Sequence, residues 1–146
     1  MEHFFGKGRR TGKYGTLLLA TYNDDEDTFP SICKVGTGFT DENLDQFYQI
    51  LSNKVTLKKN PRVKSEMEAD IWFDPELVIE IVASEITLSP IHKTAQDIIR
   101  KGSGLALRFP KFTGKIRLEK SPENASTDQE VISLYNGQIK IKQEID

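Results

Sequence analysis

The chain has 146 residues, 20 basic and 22 acidic for a formal net charge of −2, with 37% hydrophobic residues and a single cysteine. That length suits one domain with a self-sufficient core, Cys33 alone excludes an internal disulfide and a cysteine zinc cluster, and no apolar run is long enough to cross a bilayer. The start, Met1-Glu2-His3-Phe4-Phe5, lacks the basic-then-apolar order of a signal peptide, so the expectation is a soluble protein of a reducing, intracellular compartment with no membrane partner.

Residues 6–15 are rich in glycine and cations and read as a phosphate-facing loop or bulged strand. The Gly-x-Gly inside them is no nucleotide fingerprint, because no helical pattern follows. Residues 16–22 predict a buried strand and residues 29–35 the next, joined as a hairpin across the acidic loop Asp24-Asp25-Glu26-Asp27, with Cys33 packing as a small apolar residue. Gly36-Thr37-Gly38 breaks that strand. Thr40 then caps a helix with Asp41 and Glu42 in its first turn and Leu44, Phe47, Tyr48 and Leu51 on its core-facing side.

Residues 54–64, broken by Pro61, read as a loop or short edge strand. Ile71-Trp72-Phe73 is apolar, with Trp72 assigned to packing, and residues 77–83 form the longest β-branched run, the pattern of a central strand. Residues 85–92 continue the sheet as far as Pro90. His92 has no second histidine or carboxylate at ligand spacing and reads as a surface residue rather than a metal ligand.

The most informative stretch is residues 104–120. Leu105 and Leu107 alternate with Ala106 and Arg108 at the period of a strand, and Pro110 then removes a backbone donor, so regular pairing should falter there. Just beyond, Phe109 and Phe112 interleave with Arg108, Lys111, Lys115 and Arg117, a mixture suited to base faces and neighbouring phosphates; the alternative is that both rings are core and the cations solvate an edge. Thr127-Asp128-Gln129-Glu130 has the form of a capping box opening a short second helix, with Val131, Ile132, Leu134 and Tyr135 as its apolar face and Asn136-Gly137 as its stop.

Strands interrupted by one helix and followed by a second, without βα alternation, predict a mostly β fold: a small antiparallel Greek-key barrel of the oligonucleotide-binding (OB) type. The cations are unevenly placed, in residues 7–13, 54–64 and 100–120, and acids gather in residues 24–27 and 66–76, which should face solvent away from phosphate. The expectation is a one-sided basic surface and nucleic acid as its partner.

Four ordered segments carry a resemblance: residues 6–15, Cys33-Lys34-Val35-Gly36-Thr37-Gly38-Phe39, Leu88-Ser89-Pro90-Ile91 and Leu107-Arg108-Phe109-Pro110-Lys111-Phe112. Together they resemble the C-terminal OB-fold domain of ATP-dependent DNA ligases of the archaeal and eukaryotic replicative type, nearly end to end, with Thr113-Gly114 closer to the archaeal form. The resemblance implies that residues 1–146 are one OB-fold domain of an enzyme of DNA replication, repair and recombination. That enzyme is a nucleotidyltransferase that uses ATP and Mg²⁺ in three steps: lysine adenylation, AMP transfer to a nick 5′-phosphate, and displacement of AMP by the 3′-hydroxyl. The nucleophilic lysine of such enzymes lies in a Lys-x-Asp-Gly motif of a preceding domain. None occurs here, so the chain alone should bind no cofactor and be inactive.

The resemblance also implies roles. Lys7, Arg9, Arg10 and Lys13 match a basic segment that contacts the DNA backbone; Arg108 and Phe109, with Lys111, match a motif that lies in the minor groove at the nick, Phe109 as the wedge. Arg117, Glu119 and Lys120 are similar to nucleotidyltransferase motif VI, whose cations meet ATP phosphates when the domain closes. Glu119 stands where Asp is usual, and Lys111 where arginine is usual, which forfeits bidentate phosphate contact. The implied partners are nicked double-stranded DNA, the ligase adenylation domain and, through the whole enzyme, a sliding clamp, although no clamp-binding box is evident. The implied location is the cytoplasm, at the nucleoid, if archaeal, or the nucleus if eukaryotic. The competing readings are a free-standing module that binds single-stranded nucleic acid and, last, a clamp-docking domain.

Overall fold

In the computed structural model of the chain, the backbone is described for residues 2–4 and 14–145 and the side chains for residues 14–138. Strands β1 (Glu2–Phe4), β2 (Thr16–Ala20) and β3 (Phe29–Val35) pair antiparallel in succession, so the hairpin expected across the acidic loop is present. Its register places Leu17 opposite Val35 and Leu19 opposite Cys33, and all four side chains are buried. Burial pushes the Cys33 thiol up to about 12, which leaves it an inert packing residue.

Helix α1 (Asp41–Leu51) starts where the sequence indicates. Thr40 Oγ1 accepts from the Asn43 N–H at 3.1 Å and Asn43 Oδ1 accepts from the Thr40 N–H at 3.0 Å, a reciprocal cap. Leu44, Phe47 and Leu51 are buried. Tyr48, expected among them, is instead 44% exposed and stacks on Tyr14 with ring centroids 5.3 Å apart, because it falls at the edge of the apolar stripe.

The segment expected as a loop or edge strand contributes two short strands, β4 (Val55–Thr56) and β5 (Val63–Lys64). With β6 (Ile71–Phe73) they complete a six-stranded sheet in the order β4-β6-β1-β2-β3-β5, in which only the β3–β5 pair is parallel. Trp72 is half-buried, with Lys59 Nζ 5.9 Å from its ring. Two further antiparallel pairs follow: β7 (Ile79–Val82) with β10 (Lys111–Ile116), and β8 (Glu85–Ser89) with β9 (Gly104–Arg108). The fold is mostly β with two helices, as expected, built from more and shorter strands than the five anticipated, in three sheets whose ladders do not close into one continuous ring among the described residues.

Residues 77–83 do not form a central strand. Only four of them are in β7, its one partner among the described residues is β10, and Val82 is 55% exposed. High β-propensity reports a pleated, half-buried surface and does not place it in the middle of a sheet. Helix α2 (Asp128–Ile145) likewise departs from expectation: it runs through Asn136-Gly137. A lone glycine in a helix costs about 1 kcal/mol relative to alanine, too little to end one. Val131 is buried, whereas Leu134, assigned to the apolar face, is 64% exposed.

The start of α2 is fastened to the sheet by a buried polar cluster. Thr127 Oγ1 accepts from the Glu130 N–H at 3.2 Å. Asp128 accepts from Thr21 Oγ1 at 2.7 Å and from the Ala95 N–H at 2.9 Å, and Thr94 Oγ1, wholly buried, lies 2.8 Å from Thr21 Oγ1. Burial, reinforced by Glu26 and Asp24, raises the Asp128 carboxyl above the usual carboxylate value, against the opposing effect of those two hydrogen bonds. His92 is also half-buried rather than on the surface: its Nδ1 lies 3.1 Å from Ser31 Oγ, and burial, with Lys34 nearby, lowers its pKa and keeps it neutral.

Removing the Asp128 carboxylate in Asp128→Ala leaves the Ala95 N–H without its acceptor in the interior and takes one of two partners from the Thr21 hydroxyl, which keeps Thr94 Oγ1, and is expected to cost about 1–3 kcal/mol in urea unfolding. Because the folded-state pKa is raised, the stabilisation that comes with protonation is complete below the ordinary carboxylate range and is lost as pH rises through the raised value. The stability advantage of the native chain over Asp128→Asn should therefore grow as pH falls from neutral through that window, and an advantage that shrinks on acidification would refute the assignment.

Candidate nucleic-acid interface

Two rings three residues apart, Phe109 and Phe112, go opposite ways. Phe112 is 2% exposed and meets Phe39 at 5.5 Å and Phe47 at 5.3 Å between ring centroids, while Phe39 and Phe47 meet edge to face at 5.1 Å. Phe109 is 70% exposed. The reading of both rings as core therefore fits Phe112 and fails for Phe109.

The break that separates them is where Pro110 places it. Strand β9 ends at Arg108, β10 begins at Lys111, and Phe109 between them has φ of 54°. A bulky residue in that left-handed region is strained, and such strain persists only where the surroundings fix the backbone on both sides. Before the turn, β9 is locked to β8 from Glu85↔Arg108 to Ser89↔Gly104, and the Arg108 carbonyl accepts from the Ser84 N–H at 3.0 Å. After it, the Phe112 N–H donates to the Thr37 carbonyl at 2.9 Å. Gly38, with φ of 91°, lies so close that a Cβ there would stand 2.6 Å from the Phe112 carbonyl oxygen, so only glycine fits. The Gly-Thr-Gly that breaks β3 therefore has a second use as the seat for β10.

Three of the sequence-assigned residues meet at this turn. The Arg108 guanidinium carbon lies 5.4 Å from the Phe109 ring centroid, and Lys111 projects from the first position of β10, exposed. Lys7, Arg9, Arg10 and Lys13 lie outside the described residues.

Beyond Phe112 the register of β10 against β7 shifts before Ile116. Gly114, φ of 100°, stands in this bulge, and Thr113 Oγ1 donates to Glu80 Oε2 at 2.8 Å, a bond that nothing in the spacing of the sequence announces. The bulge re-aims the chain, and the three motif VI-like residues follow it. Arg117 donates through Nε to Glu119 Oε1; that bond holds the guanidinium above its ordinary pKa and the Glu119 carboxyl below its own. Arg117 and Lys120 also line a cavity of about 320 Å³ whose apolar wall includes Leu19, Ile86 and Leu107. Glu80 and Glu130 line the same cavity, so it is of mixed charge. Among the described residues no group of three or more His, Cys, Asp or Glu side chains is arranged to hold a metal ion.

The basic surface is narrower than the sequence indicates. In residues 54–64, Arg62 pairs with Asp27 at 2.7 Å and Glu123 at 3.2 Å and lies 4.7 Å from the Phe29 ring centroid, while Lys54 pairs with Glu76 at 3.5 Å. In the acidic stretch, Glu66 pairs with Lys93 at 2.7 Å rather than simply facing solvent. Sequence reasoning counted those cations as available; opposite charges close in space and distant in sequence gave no local signal.

The family model of the ATP dependent DNA ligase C terminal region matches residues 10–120. Among named relatives, the DNA ligase of Nitrosopumilus maritimus (strain SCM1) is 78% identical over 138 residues, 94% of this chain and 24% of that protein. The DNA ligase of Cenarchaeum symbiosum (strain A) is 77% identical over 94% of this chain and 23% of that protein, and DNA ligase 2 of Thermofilum pendens (strain DSM 2475 / Hrk 5) is 50% identical with the same two shares. The chain thus spans about a quarter of the length of these relatives. The ligase domain of M. tuberculosis LigD shares the fold, with a TM-score of 0.62 at 21% identity over 84% of this chain and 35% of that one. Motif match, high identity and shared fold agree: the chain belongs to the ATP-dependent DNA ligase family and is its C-terminal, OB-type domain.

Proposed function

We propose that this chain grips nicked duplex DNA through the Arg108-Phe109-Pro110-Lys111 turn and, when closed over an adenylation domain, orients ATP phosphates through Arg117 and Lys120. The observation that carries the reading is the Phe109 turn: an exposed ring in a strained conformation, fixed on both sides and flanked by Arg108 and Lys111. An exposed ring of that kind suits insertion between base pairs from the minor groove, with cations on the phosphates at either side. Lys7, Arg9, Arg10 and Lys13 would extend the phosphate contacts along the backbone.

The second half of the proposal concerns Arg117. Its partner Glu119 is 62% exposed at the side chain, so a triphosphate reaching the site would exchange one carboxylate for phosphate oxygens without opening the core. ATP and Mg²⁺ act in the complete enzyme, with the cations of this chain placing the departing pyrophosphate; they are not assigned a site on this chain alone. Nick sealing by the complete protein, the adenylation domain and a sliding clamp as partners, and a cytoplasmic, nucleoid-associated location belong to the same proposal. The exposed ring also suits stacking on single-stranded bases, which is the competing reading.

Substrate preference separates the two: the chain should bind nicked duplex better than single strands at moderate salt, and the reverse order would overturn the ligase reading of this face. With about four to six phosphates neutralised, the log-log salt slope should lie near −4 to −5, and a slope near −1 would contradict it. In a complete ligase carrying this chain, Phe109→Ala should slow the DNA-bound steps about 10- to 100-fold and spare self-adenylation, whereas Arg117→Ala should slow self-adenylation by a similar factor and spare sealing of pre-adenylated nicks. Identical defects from both substitutions would end the two-face description.

A further inference from the structure

The Phe109 turn has a neighbour that neither the motifs nor the comparisons assign. Val82, the last residue of β7, and Ala83-Ser84, which join β7 to β8, are exposed throughout, Val82 at 55%. The tip is tied to the turn from both sides. Val82 stands opposite Lys111 in the β7–β10 ladder, and the Ser84 N–H donates to the Arg108 carbonyl at 3.0 Å. Residues paired across an antiparallel ladder point to the same face, so Val82 and Lys111 project together. An exposed β-branched side chain thus stands opposite Lys111, on a tip whose Ser84 is bonded to Arg108, the residue before the exposed Phe109; Glu85, opposite Arg108, is the nearest acid in this ladder.

The chemistry of the tip differs from that of its flanks. It carries no charge, its side chains are short, and its only large apolar group is Val82. A duplex backbone alternates a charged phosphate with an apolar sugar edge. A surface on which a short aliphatic group stands opposite one cation, Lys111, on a tip tied to a second, Arg108, matches that alternation, and small side chains let the strand approach closely. We infer that Val82-Ala83-Ser84 is a second DNA-contacting element, in which Val82 packs on a deoxyribose of the nicked duplex while Arg108 and Lys111 take the adjoining phosphates. The inference rests on the proposed DNA face, since the tip reaches the duplex only if the Phe109 turn does.

The buried, inert Cys33 makes a direct test possible, because a cysteine introduced on the surface is then the reactive thiol of the chain. Val82→Cys, Phe109→Cys and, in the acidic loop, Asp25→Cys would each be labelled with a benzophenone maleimide and irradiated with nicked duplex DNA at low salt. The expected result is DNA adducts of comparable yield from Val82→Cys and Phe109→Cys, and none above background from Asp25→Cys. Adducts from Phe109→Cys without adducts from Val82→Cys overturn the inference and leave the proposed DNA face standing; adducts from neither overturn both. Val82→Asp, which puts a like charge against phosphate at an exposed position, should weaken binding of nicked duplex about tenfold, and unchanged affinity also counts against the tip as a contact.

Discussion

Burial of Phe112 is the constraint on which the rest depends. Its ring joins Phe39, which follows the glycine-containing break after β3, to Phe47 of α1, and so fixes where β10 may begin. The Thr37 carbonyl and the close approach at Gly38 then set the backbone of β10. With β9 locked to β8 on the other side, the chain has only Phe109 and Pro110 in which to pass from one strand to the next. A passage that short excludes an ordinary turn around a buried Phe109, and the ring is driven outward into a left-handed backbone conformation. Core packing and the exposed ring are two consequences of one fit.

The same economy applies to the halves of β10. A regular ladder would carry the chain straight from Lys111 to Lys120 on one face. The bulge at Gly114, with the Thr113 hydroxyl anchored on Glu80, breaks that continuity and separates the residues proposed to meet DNA from those proposed to meet ATP. The two proposed functions, which require different orientations of the domain, would thereby share one short stretch of sequence without sharing side chains.

Much of this was legible in the sequence, and the parts that were not share a cause. The β2–β3 hairpin, the Thr40 cap and the strand ending at Arg108 follow from local rules: period, capping chemistry and the missing donor of Pro110. Residues 77–83 were misplaced because β-branched composition says nothing about how many neighbours a strand has. The stop at Gly137 failed because contacts made by the helix outweigh one weak helix former. Phe109 and Phe112 look alike in sequence, and only the position of Phe39 and Phe47 tells them apart.

Electrostatics shows the same division between local and spatial information. Counting cations marked residues 54–64 as strongly basic as residues 100–120, yet Arg62 is held by Asp27 and Glu123 and Lys54 by Glu76. Exposed ion pairs of this kind contribute little to stability, but they change which cations are available to an incoming phosphate backbone. Each such pair would have to be broken before its cation met a phosphate, whereas Arg108, opposite Glu85 in the β8–β9 ladder, lies against the Phe109 ring, which a sugar or base edge could replace. In a chain of net charge −2, the turn at Phe109 is where positive charge stands next to exposed apolar surface.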